Sequence, residues 1–333
     1  MSQPVTTAPV ELYRDPAVYA RERASIFAKA WLFMGLEADL IRPGDYIAET
    51  LAEFPLLVVK DSVGGLRGFH NVCRHRAGPV GGEAKGRCDH EFTCRYHGWR
   101  YDFDGRLKAA TGFGPVDGFD TGDHGLFPIR VETWRGFVFV NLDLESAPLS
   151  ETLAPLDARF GKRPELSARM RHSHPVACNW KIYVENYLEG YHLEGVHPGL
   201  AIHLDADLHE VRVEGLVALH EAPPRSETTE GFWAWVWPNL GFSLYRDVLL
   251  IEHMRPSGPG RTQLDHIYLH QPEDPSIDAA TLTSERITEE DAWICQRVQE
   301  NLNAGVYDHG PLSPAHEGAV AWFQNAVARA LAG

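Results

Sequence analysis

The chain has 333 residues, 44% of them hydrophobic, and its 46 acidic and 31 basic side chains give a formal net charge of −15. This acidic balance disfavours binding to nucleic acid or to an anionic membrane surface. The apolar runs are far too short to span a bilayer, and the length suggests two domains or one large domain.

The elements predicted along the chain indicate an α+β protein with three parts. Residues 1–42 are predicted to form a helical segment that packs on the C-terminal domain, with Asp15-Pro16 as a helix start. Residues 43–148 alternate in short β-like runs broken by Gly, Asp and Pro, which is typical of a small all-β domain. Residues 149–333 are predicted to form an α+β domain, with helices near 179–192, 284–304 and 314–331 and strands from 209 to 271.

Two loops of the predicted β domain each carry one cysteine and one histidine. Cys73 and His75 form the first arm, and Cys94 and His97 form the second after 18 intervening residues. Two thiolates and two imidazoles suit a [2Fe–2S] cluster in which one iron binds both cysteines and the other both histidines. Imidazole ligands raise the reduction potential of such a cluster to roughly −150 to +300 mV.

A Cys₂His₂ zinc site is the alternative for these four residues. Zinc arms usually pair like ligands, whereas each arm here is mixed and lies among glycine turns. The iron–sulfur interpretation is therefore favoured over zinc, and over four unrelated core residues.

A second set of candidate ligands lies on and beyond the predicted helix at 179–192. Glu185, Glu189 and His192 follow i, i+4 and i+7 spacing, which predicts that they share one face. His197 is expected just past the helix end, on a loop that can fold back towards His192. Two imidazoles and one carboxylate, with the remaining positions open, are the ligands of non-haem Fe(II) oxygenases.

Asp291 is the predicted carboxylate ligand. It falls on the apolar stripe of the helix near 284–304, where a carboxylate is costly unless it is paired or bound to metal. The stripe consists of Ile287, Ile294, Val298 and Leu302. The alternative, an acid near the helix N-terminus that faces solvent, fits Glu289 and Glu290 better.

Three tryptophans alternate along a predicted strand. Trp233, Trp235 and Trp237 share one face, and they can contribute to an aromatic cage for a quaternary ammonium at about 0.5–2 kcal/mol per ring. Because aromatic residues are frequent in strands, packing as core is the favoured interpretation.

The sequence resembles the Rieske non-haem iron oxygenases, the family of ring-hydroxylating oxygenase α subunits. The runs Asn71–Ala77 and Cys94–Gly105 resemble the Rieske domain, and N-W-K…E-N…E-x-Y-H-x₄-H resembles the mononuclear-iron motif. The segment from Glu290 to Gln299, with Tyr307 and Gly310 downstream, resembles the branch that includes choline, glycine betaine and carnitine oxygenases.

The resemblance implies a fold, cofactors and site residues. The fold is a Rieske [2Fe–2S] domain plus a helix-grip (START-like) α+β catalytic domain. The implied cluster ligands are Cys73, His75, Cys94 and His97, and the implied ligands of the mononuclear Fe²⁺ are His192, His197 and Asp291. Glu189 stands where the family has a bridging acid, often Asp, between His97 of one subunit and His192 of its neighbour in a homotrimer.

The implied reaction uses O₂ to hydroxylate or oxidatively N-demethylate a small substrate, with a methylated amine favoured. The chain has no dinucleotide-binding glycine motif, so an external NAD(P)H-dependent reductase must supply electrons, directly or through a ferredoxin. The alternatives are an aromatic ring-hydroxylating dioxygenase, a non-catalytic Rieske electron carrier and a zinc-stabilised binding module. The five scattered cysteines and the absence of a signal peptide predict a cytoplasmic protein.

Overall fold

The computed structural model describes residues 5–160, 168–201, 208–223, 232–244, 248–272 and 277–333. The chain forms two compact units. The β unit consists of Phe27–Ser150, and the α+β unit consists of Met1–Ile26 with Glu151–Gly333. No helix among the described residues is long and apolar enough to cross a membrane.

Two short helices begin the α+β unit, α1 (Glu11–Arg14) and α2 (Pro16–Glu22). As the sequence predicts, Asp15 caps α2 by accepting a hydrogen bond from the backbone N–H of Ala17, and a proline occupies the first helical position.

Ten short strands build the β unit. In chain order they are β1 (Leu32–Leu36), β2 (Asp45–Leu51), β3 (Phe54–Lys60), β4 (Leu66–His70), β5 (Lys85–Arg87), β6 (Phe92–Thr93), β7 (Trp99–Tyr101), β8 (Leu107–Ala110), β9 (Pro128–Trp134) and β10 (Phe137–Asn141). One sheet has the order β1-β10-β9-β4-β3-β2-β5, and a second has the order β6-β7-β8. Because β1 pairs with β10, residues 27–42 belong to this unit, and the N-terminal segment of the α+β unit ends at Ile26 rather than at residue 42.

The rest of the α+β unit is an antiparallel sheet with helices packed on it. Its elements are α3 (Leu149–Phe160), β11 (Ala168–Val176), α4 (Trp180–Tyr187), α5 (Leu193–Val196), α6 (Pro198–Ala201), β12 (Glu210–Glu214), β13 (Val217–Glu221), β14 (Phe232–Val236), β15 (Leu240–Leu244), β16 (Val248–Pro256), β17 (Thr262–His270), α7 (Ile277–Asn303) and α8 (Gly318–Ala332). The strand order is β11-β17-β16-β15-β14-β13-β12. This arrangement confirms the α+β class.

A buried ion pair joins α2 to α4 within this unit. The Lys181 ammonium lies 2.5 Å from one Glu22 oxygen, and the Trp180 indole N–H donates to the other at 2.9 Å. All three side chains are buried, so the pair fixes the start of α4 against the N-terminal helices.

The predicted helix over 179–192 is too long, because α4 ends at Tyr187. The Glu189 carboxylate accepts hydrogen bonds from the backbone N–H groups of Tyr191 and His192, which closes a turn in place of a further helical turn. The chain also passes close to another segment there: a Cβ at Gly190 would lie 2.2 Å from His209 Nδ1. Only glycine fits that approach without a shift.

Candidate metal centres

The four Cys and His residues of the β unit converge at the tips of two loops. Cys73 and His75 lie between β4 and β5, and Cys94 and His97 lie between β6 and β7. Both cysteines are buried, and the two imidazole rings lie 4.4 Å apart between centroids. The two predicted arms therefore meet, with two sulfur atoms on the buried side and two half-buried imidazoles.

Backbone hydrogen bonds hold both loops in shape. The Cys73 N–H donates to Gly78 O at 2.8 Å, and the Cys94 N–H donates to Trp99 O at 2.9 Å. The Trp99 ring stacks on His75 at 5.0 Å. A Cβ at Gly78 would lie 3.1 Å from Cys94 Sγ, so glycine leaves room beside this sulfur.

The donor atoms fit a bound cluster. His75 Nδ1 is buried and has no hydrogen-bond partner among the described residues, which is expected of a nitrogen that binds metal. Burial, and then the neighbouring Cys73 thiol, raise the pKa of Cys94, so the two sulfur atoms are close together. The Tyr101 hydroxyl lies 3.2 Å from Cys73 Sγ, and a hydrogen bond to a ligand sulfur tunes a cluster's potential.

The second predicted ligand set also comes together, within the α+β unit. His192 precedes α5, His197 follows it, and Asp291 lies in α7. Asp291 Oδ1 lies 2.9 Å from His197 Nε2 and 3.6 Å from His192 Nε2. Ligand atoms of all three residues lie within 4.8 Å of one another, so one ion can contact all three.

Each of the three candidate ligands is held by a further polar side chain. Glu189 Oε1 lies 2.6 Å from His192 Nδ1, and Glu290 Oε2 lies 2.8 Å from His197 Nδ1. The Asn186 amide donates to Asp291 Oδ1 at 2.6 Å. Carboxylates on the outer nitrogens leave both Nε2 atoms for a metal, which is how histidine ligands are usually oriented.

Neighbouring carboxylates decide the direction in which the pKa of His197 shifts. Burial alone would lower its pKa, but hydrogen bonds to Asp291 and Glu290 and their negative charges outweigh burial and raise it. The same two carboxylates would stabilise a bound cation.

The predicted burial pattern of α7 is partly wrong. Val298 is 38% exposed, and Ile287 and Ile294 are only half-buried. Besides Cys295 and Leu302, α7 buries four polar residues among those described, which are Thr281, Ser284, Thr288 and Gln299. Glu290 is also not a solvent-facing acid, because it contacts His197, whereas Glu289 is exposed. Asn186 and Glu290 were missed because their partners lie about 100 residues away in sequence.

Glu185 does not share a helix face with Glu189 and His192, contrary to the prediction, because α4 ends at Tyr187. It accepts a hydrogen bond from the Tyr13 hydroxyl at 2.7 Å, and the Gln324 amide donates to the same hydroxyl. Burial raises the pKa of Glu185 to about 7, although the Tyr13 hydrogen bond acts in the opposite direction.

This raised pKa makes the stability of the protein depend on pH. Ionising Glu185 costs more in the folded than in the unfolded chain, so stability falls as pH rises from about 4.5 through about 7. We expect Glu185→Gln to remove this fall, which is of order 3 kcal/mol, while keeping an acceptor for Tyr13. Thermal unfolding of the wild type and of the Glu185→Gln variant between pH 4 and pH 8 measures this fall in stability. Melting curves of the two proteins that shift in parallel with pH would contradict the assignment.

A cavity of about 130 Å³ adjoins the His–Asp site. Besides the candidate ligands it is lined by the rings of Tyr187, Phe232 and Trp233 and by the Glu252 carboxylate, which accepts a hydrogen bond from the Ser243 hydroxyl at 3.1 Å. No lysine or arginine is among the described residues that line it. Its walls are therefore aromatic, aliphatic and acidic.

The three tryptophans do not form one cage. Trp235 and Trp237 are core residues that pack with α8, as favoured from the sequence. Trp233 instead lines the cavity, and the rings of His209 and His220 stack on it at 4.9 and 5.0 Å. Burial lowers the pKa of His209 to about 4 and also holds that of His220 well below its usual value, so neither ring adds positive charge near pH 7.

Two family models match the chain. The model described as Rieske [2Fe-2S] domain matches residues 30–120. The model described as Ring hydroxylating alpha subunit (catalytic domain) matches residues 164–220 and 205–333.

Characterised relatives include enzymes for quaternary ammonium compounds. The chain is 30% identical to the chloroplastic choline monooxygenase of Spinacia oleracea over 325 residues, which are 91% of this chain and 73% of the relative. It is 36% identical to the glycine betaine monooxygenase oxygenase subunit of Chromohalobacter salexigens over 194 residues, 58% of this chain and 43% of the relative.

Solved structures resemble the whole chain. The quaternary ammonium Rieske monooxygenase CntA in complex with L-carnitine matches with a TM-score of 0.84 and 25% identity, covering 98% of this chain and 96% of that one. Naphthalene 1,2-dioxygenase from Rhodococcus sp. matches with a TM-score of 0.74 and 20% identity, covering 98% of this chain and 94% of that one, which is a likeness of fold.

Proposed function

The chain belongs to the ring-hydroxylating oxygenase α subunits with a Rieske domain, and we propose that it hydroxylates or oxidatively N-demethylates a small quaternary or methylated amine. The observation that carries this proposal is the cavity beside His192, His197 and Asp291, whose walls offer aromatic rings and the Glu252 carboxylate. A cation is stabilised by both kinds of group.

The cofactors are a [2Fe–2S] cluster and a mononuclear Fe²⁺, supplied with electrons by an external reductase. Cys73, His75, Cys94 and His97 would hold the cluster, and His192, His197 and Asp291 would hold the iron. When bound, the cluster supplies electrons one at a time and the ferrous iron activates O₂.

The protein's own residues contribute to the reaction by orienting the candidate iron ligands and by placing negative charge beside them. Asn186 fixes one oxygen of Asp291, and Glu290 fixes the ring of His197. Glu189 does the same for His192 and holds a proton on its Nδ1 atom.

Electron supply involves a second copy of the chain and a reductase. A solved structure of a quaternary ammonium Rieske monooxygenase gives insights into inter-subunit electron transfer in that enzyme, and His97 is partly exposed on the β unit here. We therefore place Glu189 between His192 and His97 of a second copy, within a homotrimer.

The five free cysteines fit a reducing cytoplasm.

Product analysis tests the substrate class. Reduced protein is exposed to O₂ with choline, glycine betaine, carnitine, the neutral choline isostere 3,3-dimethyl-1-butanol, or benzoate. We expect an oxidised or demethylated product from at least one cationic compound and none from the neutral isostere. Product from benzoate alone would replace the proposal with aromatic ring oxidation.

Trp233 tests cation recognition at the level of one side chain. We expect Trp233→Leu to raise KM for the accepted cation by about 2- to 30-fold, since a cation–π contact is worth about 0.5–2 kcal/mol. Trp293→Leu is the matched control, because Trp293 is 60% exposed on α7. Equal KM values for the wild type and the Trp233 variant would show that this ring does not contact the cation.

A further inference from the structure

A second cluster of metal-binding side chains lies under α7, on three neighbouring strands. Strand pairing places His172 of β11 and Glu252 of β16 directly opposite His266 of β17, on either side of it. His174 lies two residues further along β11 and points to the same face as His172. Glu285 of α7 covers this row of side chains.

Three imidazoles converge on the Glu285 carboxylate. His174 Nε2 lies 3.1 Å and His172 Nδ1 lies 3.4 Å from Glu285 Oε2, and His266 Nδ1 lies 3.7 Å from Oε1. In a tetrahedral zinc site with bonds of about 2.0–2.2 Å, neighbouring ligand atoms lie roughly 3.3–3.6 Å apart. The observed separations are close to that spacing.

One buried nitrogen that faces Glu285 lacks a hydrogen bond. His174 Nε2 has no hydrogen-bond partner among the described residues, and the neighbouring His266 is fully buried. The Tyr268 hydroxyl donates to Glu285 Oε1 at 3.0 Å and lies 3.3 Å from His266 Nδ1. The protein's own groups thus leave part of the cluster's donor capacity unused, which is costly in a buried site unless a ligand takes it up.

The surroundings of His266 resemble those of a histidine ligand. Its Nε2 atom faces Glu252 Oε2 at 3.4 Å, while its Nδ1 atom faces Glu285. His192 and His197 also have a carboxylate beside the outer nitrogen, in their case as a hydrogen bond to Nδ1. Glu252 and Glu285 together bring two negative charges, which a divalent cation would balance.

We propose that His174, His266 and Glu285, with His172 beside them, bind a divalent cation of the zinc type, separately from the iron site. Ligand atoms of the first three residues lie within 4.8 Å of one another. Two imidazoles and a carboxylate with an open position form a known zinc site. Because the ligands come from β11, β17 and α7, a bound ion cross-links the sheet to the helix that carries Asp291. His172, His174 and Glu285 are each partly exposed, so an ion can enter from solvent.

Metal analysis of the iron-loaded protein tests this inference and does not depend on turnover. Zinc sulfate is added in excess, loosely bound metal is removed by gel filtration, and zinc and iron are counted. We expect about one retained zinc per chain with no loss of iron, and a melting temperature raised by several degrees. Failure to retain zinc, or zinc gained only as iron is lost, overturns the proposal.

Two variants locate the ion. His174→Gln and Glu285→Gln should each abolish most zinc retention and the thermal shift, while iron content and the circular dichroism spectrum stay those of the wild type. His270→Gln is the matched control on β17, because the His270 ring hydrogen-bonds to the neighbouring Gln271 carbonyl and is not one of the proposed ligands. Equal zinc in the wild type and in both variants would place the ion elsewhere and overturn the assignment. If one variant fails to fold, the other still decides.

Discussion

We expect Asp291→Ala to lower the iron content from about three atoms per chain to about two and to abolish most turnover. Asp291 Oδ1 lies near both His192 Nε2 and His197 Nε2, and it is the carboxylate of this ligand set. Without it two neutral imidazoles remain, a weak site for Fe²⁺. Iron analysis and single-turnover assays measure the two effects.

Glu289→Ala is the control for Asp291→Ala. Glu289 lies on the same helix two residues earlier and is exposed, so its removal should change neither iron content nor turnover. The paramagnetic signal of the reduced cluster should persist in both variants, since its candidate ligands lie in the β unit. An Asp291→Ala protein with full iron content would remove Asp291 from the ligand set.

The second large effect is expected for Glu189→Gln, which should keep both metal centres occupied yet lower turnover by about 100-fold. Glu189 Oε1 lies 2.6 Å from His192 Nδ1, and its other oxygen accepts the backbone N–H of His192 at 3.1 Å. A glutamine at position 189 keeps one oxygen that can accept a hydrogen bond, but it carries no negative charge. The loss should appear in the rate of electron arrival at the iron, measured by rapid mixing of the reduced protein with O₂ and substrate.

Glu194→Gln provides the comparison, because Glu194 is an exposed carboxylate of the neighbouring helix α5. The Glu194→Gln variant should have the same turnover rate as the wild type. Normal turnover by a fully metal-loaded Glu189→Gln protein would rule out a bridging role for Glu189.

The candidate ligands that loops carry could be predicted from sequence, and Asp291 of α7 could be predicted as the carboxylate that joins His192 and His197. Cys73, His75, Cys94 and His97 lie in two short loops, where spacing and residue type matter more than helix periodicity. His197 was expected just past a helix end and lies there, after α5.

The predictions that were wrong depend on contacts that the spacing of apolar residues along the sequence does not reveal. The end of α4 depends on the Glu189 carboxylate capturing backbone N–H groups and on the approach of His209 to Gly190. The apolar stripe of α7 was misjudged because its buried face includes threonines, a serine and a glutamine. Glu252 reaches the cavity from the middle of a strand, where nothing in the sequence distinguishes it from a surface acid.

Iron and acid-labile sulfide can be counted in the same sample that is reduced for electron paramagnetic resonance, which tests both metal centres at once. We expect about three irons and two sulfides per chain, with the rhombic signal of a cluster that has two histidine ligands. Conversion of Cys73 and Cys94 to serine should abolish the signal and the sulfide. A colourless protein that holds zinc and no sulfide would contradict the account.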